Sequence, residues 1–157
     1  MRVILVSVLL LFSMLFCVLI NFADLQESNV TKTKAKNQAS TIKHDRAKFN
    51  YQMSCQGCHT PTGQGFQSVP KLKGFLGNFL QTPEGREYLI KVPGAAYSPL
   101  TDKELAEVIN WMLLTFAEDS LSSDWEVYTA TEVAKFRKDP LLETQEYRNN
   151  LLQSFDY

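Results

Sequence analysis

The chain has 157 residues, 45% of them hydrophobic and 21% charged, and its 16 basic residues nearly balance 17 acidic residues. This formal net charge of −1 excludes a polybasic nucleic-acid-binding protein and an acidic disordered chain. The hydrophobic residues are concentrated at the N-terminus, where 19 of the first 23 residues are apolar. The rest of the chain has the composition and the length of one soluble domain.

Residues 1–23 form the first predicted element, a signal peptide or a membrane anchor. Sixteen of the 18 residues from 3 to 20 are apolar, and Arg2 is the only charged residue before them. A basic residue before such a segment predicts export of the chain that follows. Residues 21–23 lack a typical cleavage pattern, so we favour a retained anchor. The expected location is the periplasm, tethered to the inner membrane, or free there if the segment is cleaved.

The remaining 134 residues are predicted to be all-α. Polar residues without hydrophobic periodicity fill 24–43, which indicates a flexible linker to a main domain at 44–116 and a helical extension at 117–157. Thr101 and Glu104 form a capping box before an apolar stripe, and Thr129 with Glu132 repeats that pattern. The predicted helices begin at His44 and then cover 75–80, 83–90, 101–116, 130–138 and 140–153. A loop is expected at 92–100.

The motif Cys55-Gln56-Gly57-Cys58-His59 carries the chemistry of this sequence. Two thiols one helical turn apart can add to the two vinyl groups of a haem, and the following histidine can then bind the iron. Alternative interpretations are a thioredoxin-type redox pair and half of a zinc site. The redox pair would need a βαβ context, and zinc would need a second pair of ligands, whereas His44 is the only other histidine.

Three further features surround this motif: a glycine-rich turn at 63–65, the segment Pro70-Lys71-Leu72-Lys73-Gly74, and a later helix with Trp111. In this order, residues 44–116 resemble the class I monohaem c-type cytochromes. The resemblance implies one covalently attached haem c, held by Cys55 and Cys58, with His59 as the proximal iron ligand. It also implies that the carbonyl of Pro70 accepts the Nδ1 proton of His59, that Leu72 packs on the haem, and that Phe49 meets the Trp111 helix.

The distal side of the iron departs from the resemblance, because the loop at 92–100 contains no methionine. Met53 precedes the motif and is expected on the proximal side. Met112 lies in the apolar stripe of the 101–116 helix, where a methionine is more often core than ligand. Three other side chains are weaker candidates: Lys91, Tyr97 and His44. An open sixth position is therefore a further alternative, and the lack of methionine ligation would lower the haem potential.

These features predict an exported carrier of single electrons between a donor and an acceptor redox protein, with membrane contact through residues 1–23 if these are retained. Because the net charge is near zero, local patches would guide docking. The alternatives are a haem sensor or small haem enzyme with an open sixth iron position, and a cytochrome subunit of a dehydrogenase complex. Arg86 and Tyr97 are candidate partners of the haem propionates, and solvation at the surface is the favoured interpretation for Arg86. Residues 117–157 would cover a haem edge or bind a partner.

Overall fold

The computed structural model describes residues 44–155, so the segments predicted at 1–23 and 24–43 lie outside the described residues. Between residues 44 and 155 the structure consists of helices and loops with one isolated bridge and no strand, which confirms the all-α prediction. None of these helices is long and apolar enough to cross a membrane. The helices are α1 (His44–Ser54), α2 (Gln56–His59), α3 (Pro83–Lys91), α4 (Pro93–Ala96), α5 (Asp102–Phe116), α6 (Ala130–Phe136) and α7 (Thr144–Leu152), with 3-10 helices at Leu76–Gln81 and Glu118–Ser120.

Helix α5 forms the centre of the domain. It begins as predicted, because the Thr101 hydroxyl accepts from the Glu104 amide while the Glu104 carboxylate accepts from the Thr101 amide. This reciprocal pairing satisfies two amides that have no partner inside the helix. Nine of its 15 residues are buried, so neighbouring elements cover most of its surface.

Helix α1 crosses α5 through Ala47 and Tyr51, which are four residues apart and share one helix face. The Tyr51 ring centroid lies 5.1 Å from that of Trp111 and 5.3 Å from that of Phe116. Phe49 was expected to meet the Trp111 helix, and this prediction is wrong, since its side chain is 59% exposed. Phe49 is two positions from both buried residues, which turns it to the opposite side of α1.

Residues 76–91 fold into two short helices, close to the predicted ranges, and the first of them is a 3-10 helix. Thr82 accepts a hydrogen bond from the Gly85 amide, and Pro83 occupies the first turn of α3. The Phe79 and Tyr88 rings stack at 5.0 Å and join the two helices. The expected loop at 92–100 contains the single helical turn α4.

The extension beyond residue 116 packs into the same hydrophobic core as α1 and α5, with Tyr128, Val133, Leu151 and Phe155 among its buried residues. Helix α6 begins at the predicted capping box of Thr129. The predicted start of the last helix at residue 140 is wrong, because α7 begins at Thr144.

The cause is a long-range attachment of the segment before α7 to the end of α3. The Leu141 amide donates to the Lys91 carbonyl at 2.9 Å, and the Lys91 ammonium lies 3.0 Å from the Asp139 carboxylate. Residues 139–141 are therefore held as a connection to α3, and the proline that follows Asp139 does not begin a helix.

Candidate functional site

The C-x-x-C-H motif follows α1 directly and forms one further helical turn. The Cys55 amide donates to the Tyr51 carbonyl at 2.9 Å, and the Cys58 and His59 amides both donate to the Cys55 carbonyl, at 3.2 and 3.0 Å. Cys55 is half-buried and Cys58 is exposed, and both thiols are free. Burial, together with the neighbouring Cys58, raises the pKa of the Cys55 thiol to about 11. The turn thus places the two cysteine side chains one helical turn apart.

The loop after the motif returns the chain to the histidine. The Gly63 carbonyl accepts from the amides of both Leu72 and Lys73, at 2.8 and 3.0 Å. Gly63 and Gly65 have φ values of 72° and 70°, a region that favours glycine, and a Cβ at Gly65 would lie 2.3 Å from the Val69 carbonyl oxygen. Both glycines are therefore required for the chain to turn this tightly and bring Pro70 beside His59.

The His59 ring is oriented by this loop. Its Nδ1 lies 3.3 Å from the Pro70 carbonyl oxygen, the pair implied by the resemblance. Because a carbonyl only accepts, Nδ1 carries the proton and Nε2 keeps its lone pair. Burial lowers the pKa of His59, and the hydrogen bond to Pro70 opposes that shift in part. The structure therefore favours a neutral imidazole whose free nitrogen can bind a metal.

A cavity of about 370 Å³ lies against the motif, and Cys55, Cys58 and His59 form part of its wall. Apolar side chains from the loop, the 3-10 helix, α3 and α5 line most of the remainder. Six of them are Leu72, Leu76, Phe79, Leu89, Leu105 and Ile109. Leu72 is 7% exposed and lies in this wall, as expected for a residue that packs on a cofactor. The cavity is thus a largely apolar pocket with three reactive side chains.

The segment from Val92 to Ser98 forms another part of the wall and supplies no thioether or imidazole group. The Ser98 hydroxyl is buried and has no partner among residues 44–155. Met112 is 6% exposed and lines the cavity, so it is both a core residue and a possible iron ligand. Met53 is 69% exposed and is not part of the wall.

The other distal candidates lie away from the cavity. Lys91 pairs with Glu87 and Asp139, Tyr97 is 68% exposed, and His44 packs edge-on against Trp111. None of the three lines the cavity wall as the described residues define it.

Arg86, a candidate for the propionates for which surface solvation was favoured, donates to the Glu132 carboxylate and to the carbonyls of Glu126 and Val127. Its guanidinium also lies 4.0 Å from the centroid of the Tyr128 ring. Arg86 therefore joins α3 to the extension and does not line the cavity, whereas a propionate contact of Tyr97 stays a prediction.

Three further residues of the cavity wall come from α7 and were not predicted from the sequence: Thr144, Gln145 and Arg148. They are more than 80 positions from the motif, and no local pattern marks them. The only available signal was the length of the chain beyond residue 116. Residues 44–155 contain no group of three or more His, Cys, Asp or Glu side chains able to hold a metal ion, so a zinc site would need ligands from outside this range.

The donor set and the cavity both suit haem. Two thiols one turn apart match its vinyl groups, the imidazole has a free Nε2, the wall is apolar, and the unpartnered Ser98 hydroxyl offers a donor to a polar group inside. An all-α domain built around such a pocket defines a c-type cytochrome, a class that carries covalently bound haem c with iron.

Comparison with known proteins supports the assignment as a c-type cytochrome. Two curated relatives, both named cytochrome c-552 and both from Thermus thermophilus, are 32% identical to this chain over 110 residues. The alignment covers 58% of this chain, 84% of one relative and 74% of the other. No protein-family model matches the chain. The chain belongs to the cytochrome c family, and this membership supports electron transfer as its function.

Proposed function

We propose that this chain is an exported monohaem cytochrome that passes single electrons between a donor and an acceptor protein. The observation that carries the proposal is the C-x-x-C-H turn in the wall of an apolar cavity, with His59 Nδ1 tied to the Pro70 carbonyl. When bound, haem supplies the one-electron couple of ferric and ferrous iron.

The residues of the chain have separate tasks in this proposal. Cys55 and Cys58 would hold the cofactor through two thioether bonds, which would keep it from dissociating, and His59 Nε2 would bind the iron. The hydrogen bond to Pro70 fixes the imidazole plane and makes the ring a better donor. The apolar wall, including Leu72 and Phe79, excludes water and keeps the local dielectric constant low.

The N-terminal residues give the proposal its location. The apolar segment at 1–23 would direct export to the periplasm, and the polar segment at 24–43 would tether the domain near the inner membrane. Export agrees with the chemistry, because haem is attached to such motifs outside the cytoplasm. N-terminal sequencing of the mature protein distinguishes a retained anchor from a cleaved signal.

Covalent attachment tests the central assignment. The full chain is expressed with a haem-attachment system, and haem is detected on the protein after denaturation. We expect haem to remain bound to the wild type after denaturation. The amount of covalently bound haem should be smaller in Cys55→Ser and in Cys58→Ser, and the double variant should bind none covalently. Cys17→Ser is the matched control, because it removes the third cysteine, which lies in the N-terminal segment. Covalent haem in the double variant would refute the assignment.

A second candidate function is a haem sensor or small enzyme with an open sixth position. It is favoured by the wall segment from Val92 to Ser98, which contributes no thioether or imidazole. Carbon monoxide addition to the ferrous protein, compared between wild type and Met112→Leu, decides the question. If the wild type is low-spin and does not bind carbon monoxide, whereas the variant binds it, Met112 is the sixth iron ligand. Ready binding by both proteins would favour the sensor or enzyme.

A further inference from the structure

Four arginines lie between residues 44 and 155, and three of them are held by carboxylates from distant parts of the chain. Arg46 pairs with Glu107, Arg86 with Glu132, and Arg137 with Asp102. Arg148, on α7, has no carboxylate partner within the described range. A half-buried guanidinium without an anion is unusual, because its five donors need acceptors.

Arg148 is nevertheless held in position. Its guanidinium carbon lies 5.6 Å from the centroid of the Phe75 ring and 5.9 Å from that of Phe79, within the range of a cation–π interaction. Phe79 is itself packed at 5.3 Å against Phe155, near the end of the described chain. The two aromatic rings therefore orient the Arg148 guanidinium where α7 meets the 3-10 helix Leu76–Gln81.

Arg148 lies at the boundary between the cavity and a surface cleft. Arg148 lines the cavity that contains the motif, and it also lines a surface cleft of about 420 Å³ formed mainly by residues 64–71. Gln145, one turn earlier on α7, and Lys71, from the loop, line the same two spaces. The cavity thus opens towards solvent between polar and cationic side chains, whereas its interior is apolar.

We propose that Arg148 binds a carboxylate of the cofactor, a haem propionate, so that the C-terminal helix α7 is part of the haem-binding site. This inference rests on the proposed function. A guanidinium presents two parallel N–H groups that match the two oxygens of a carboxylate, and the aromatic contacts reduce the entropy lost on binding. Gln145 and Lys71 supply further donors beside it. The helical extension therefore anchors the polar edge of the cofactor while the motif anchors the vinyl edge.

The reduction potential of the haem-loaded full chain tests this proposal. Arg148→Met keeps a long apolar side chain against Phe75 and Phe79 but removes the charge. A positive charge beside the haem disfavours the ferric form, so its loss lowers the potential. We expect the equilibrium constant for reduction to fall about tenfold, or about 59 mV for one electron. Arg148→Lys keeps the charge and loses the paired donors, so its reduction potential should lie between those of the wild type and Arg148→Met.

Lys135→Met is the matched control for net charge. Lys135 is an exposed cation of the same extension, lies 5.3 Å from the Phe136 ring centroid, and does not line the cavity. Its substitution should leave the potential unchanged. Equal potentials for Arg148→Met, Lys135→Met and wild type would overturn the proposal.

The measurement also has to separate a lost carboxylate contact from a general loss of charge. The groups that face Arg148 from packed elements are Lys71 and Tyr88, and His59 lines the same cavity. With Arg148 removed, the propionate should bind a proton about tenfold more tightly, which appears as a steeper dependence of the potential on pH. A parallel displacement of the whole profile would indicate charge alone and would refute the carboxylate contact.

A crystal structure of the haem-loaded wild type gives a test that does not depend on any variant. We expect guanidinium nitrogens within about 3.2 Å of a propionate oxygen. A propionate turned away from α7 would refute the inference while leaving the proposed function intact. Failure of the wild type to retain haem would instead refute the proposed function, so the two failures are distinguishable.

Discussion

Replacing Arg137 by methionine tests how the extension holds the wall of the cavity. Arg137 follows α6, and its guanidinium donates to the carbonyls of Ala96, Ser98 and Leu100 at distances from 2.8 to 3.1 Å. A fourth acceptor is the Asp102 carboxylate at 3.0 Å. One side chain therefore fixes the segment that joins α4 to α5, part of which lines the cavity.

The expected loss follows from the number of acceptors. Each hydrogen bond from a charged donor to a carbonyl contributes about 1 kcal/mol or more after the exchange with water. The ion pair adds less than about 1 kcal/mol, because the Asp102 side chain is 41% exposed. Three carbonyls and one weak pair give about 3 kcal/mol. For a domain of about 100 residues this corresponds to a fall of about 15 °C in Tm.

Thermal unfolding of the holoprotein, followed by circular dichroism, measures the loss, and amide hydrogen exchange locates it. The Tyr97 and Ser98 amides donate to the carbonyls of Pro93 and Ala95, so their protection should fall in Arg137→Met while the centre of α5 stays protected. Lys138→Met, at the exposed neighbouring position, is the control. Equal Tm values for the two variants would refute the role given to Arg137.

Three further predictions concern the core. Asn110→Ala should cost about 2–4 kcal/mol in denaturant unfolding, because the buried Asn110 amide pairs with both the amide and the carbonyl of Tyr128; a cost below about 1 kcal/mol would contradict this. Gly77→Ala should destabilise by at least about 1 kcal/mol, since its Cβ would lie 2.3 Å from the Ser120 carbonyl oxygen, whereas Gly57→Ala, with open space around it, is the control. Burial raises the pKa of Tyr51 to about 12, above its unfolded value near 10. The stabilisation from the neutral Tyr51 side chain is therefore present below pH 10 and is lost as the pH rises to 12. Between pH 10 and pH 12 the free energy of unfolding should fall less in Tyr51→Phe than in the wild type.

The features that the sequence predicted well depend on near neighbours. The two capping boxes each need only residues three positions apart, and the motif turn needs five consecutive residues. The contact of His59 with Pro70 spans 11 positions and was supplied by the resemblance. The contact of Phe49 with the Trp111 helix was also supplied by the resemblance, and it is wrong because the period of α1 buries Ala47 and Tyr51 instead.

The features that the sequence did not predict depend on single side chains that join distant segments. Arg86 and Arg137 reach acceptors 35 to 46 positions away, and neither contact leaves a periodic pattern. The same holds for the start of α7, which was displaced by the attachment of Leu141 to Lys91. The Asp139-Pro140 pair favours a helix start, but the next amide, that of Leu141, donates to the Lys91 carbonyl instead.

These long-range arginines change the role that the extension can have. Covalent attachment at Cys55 and Cys58 would fix one edge of a haem but would not shape the opposite wall. The segment from Val92 to Ser98 buries Ala96, and Arg137 from beyond α6 holds the carbonyls of Ala96 and Ser98. Because stability and cavity shape then depend on the same contacts, the extension belongs to the folding unit of the site. A partner that displaced it would also change the environment of the iron.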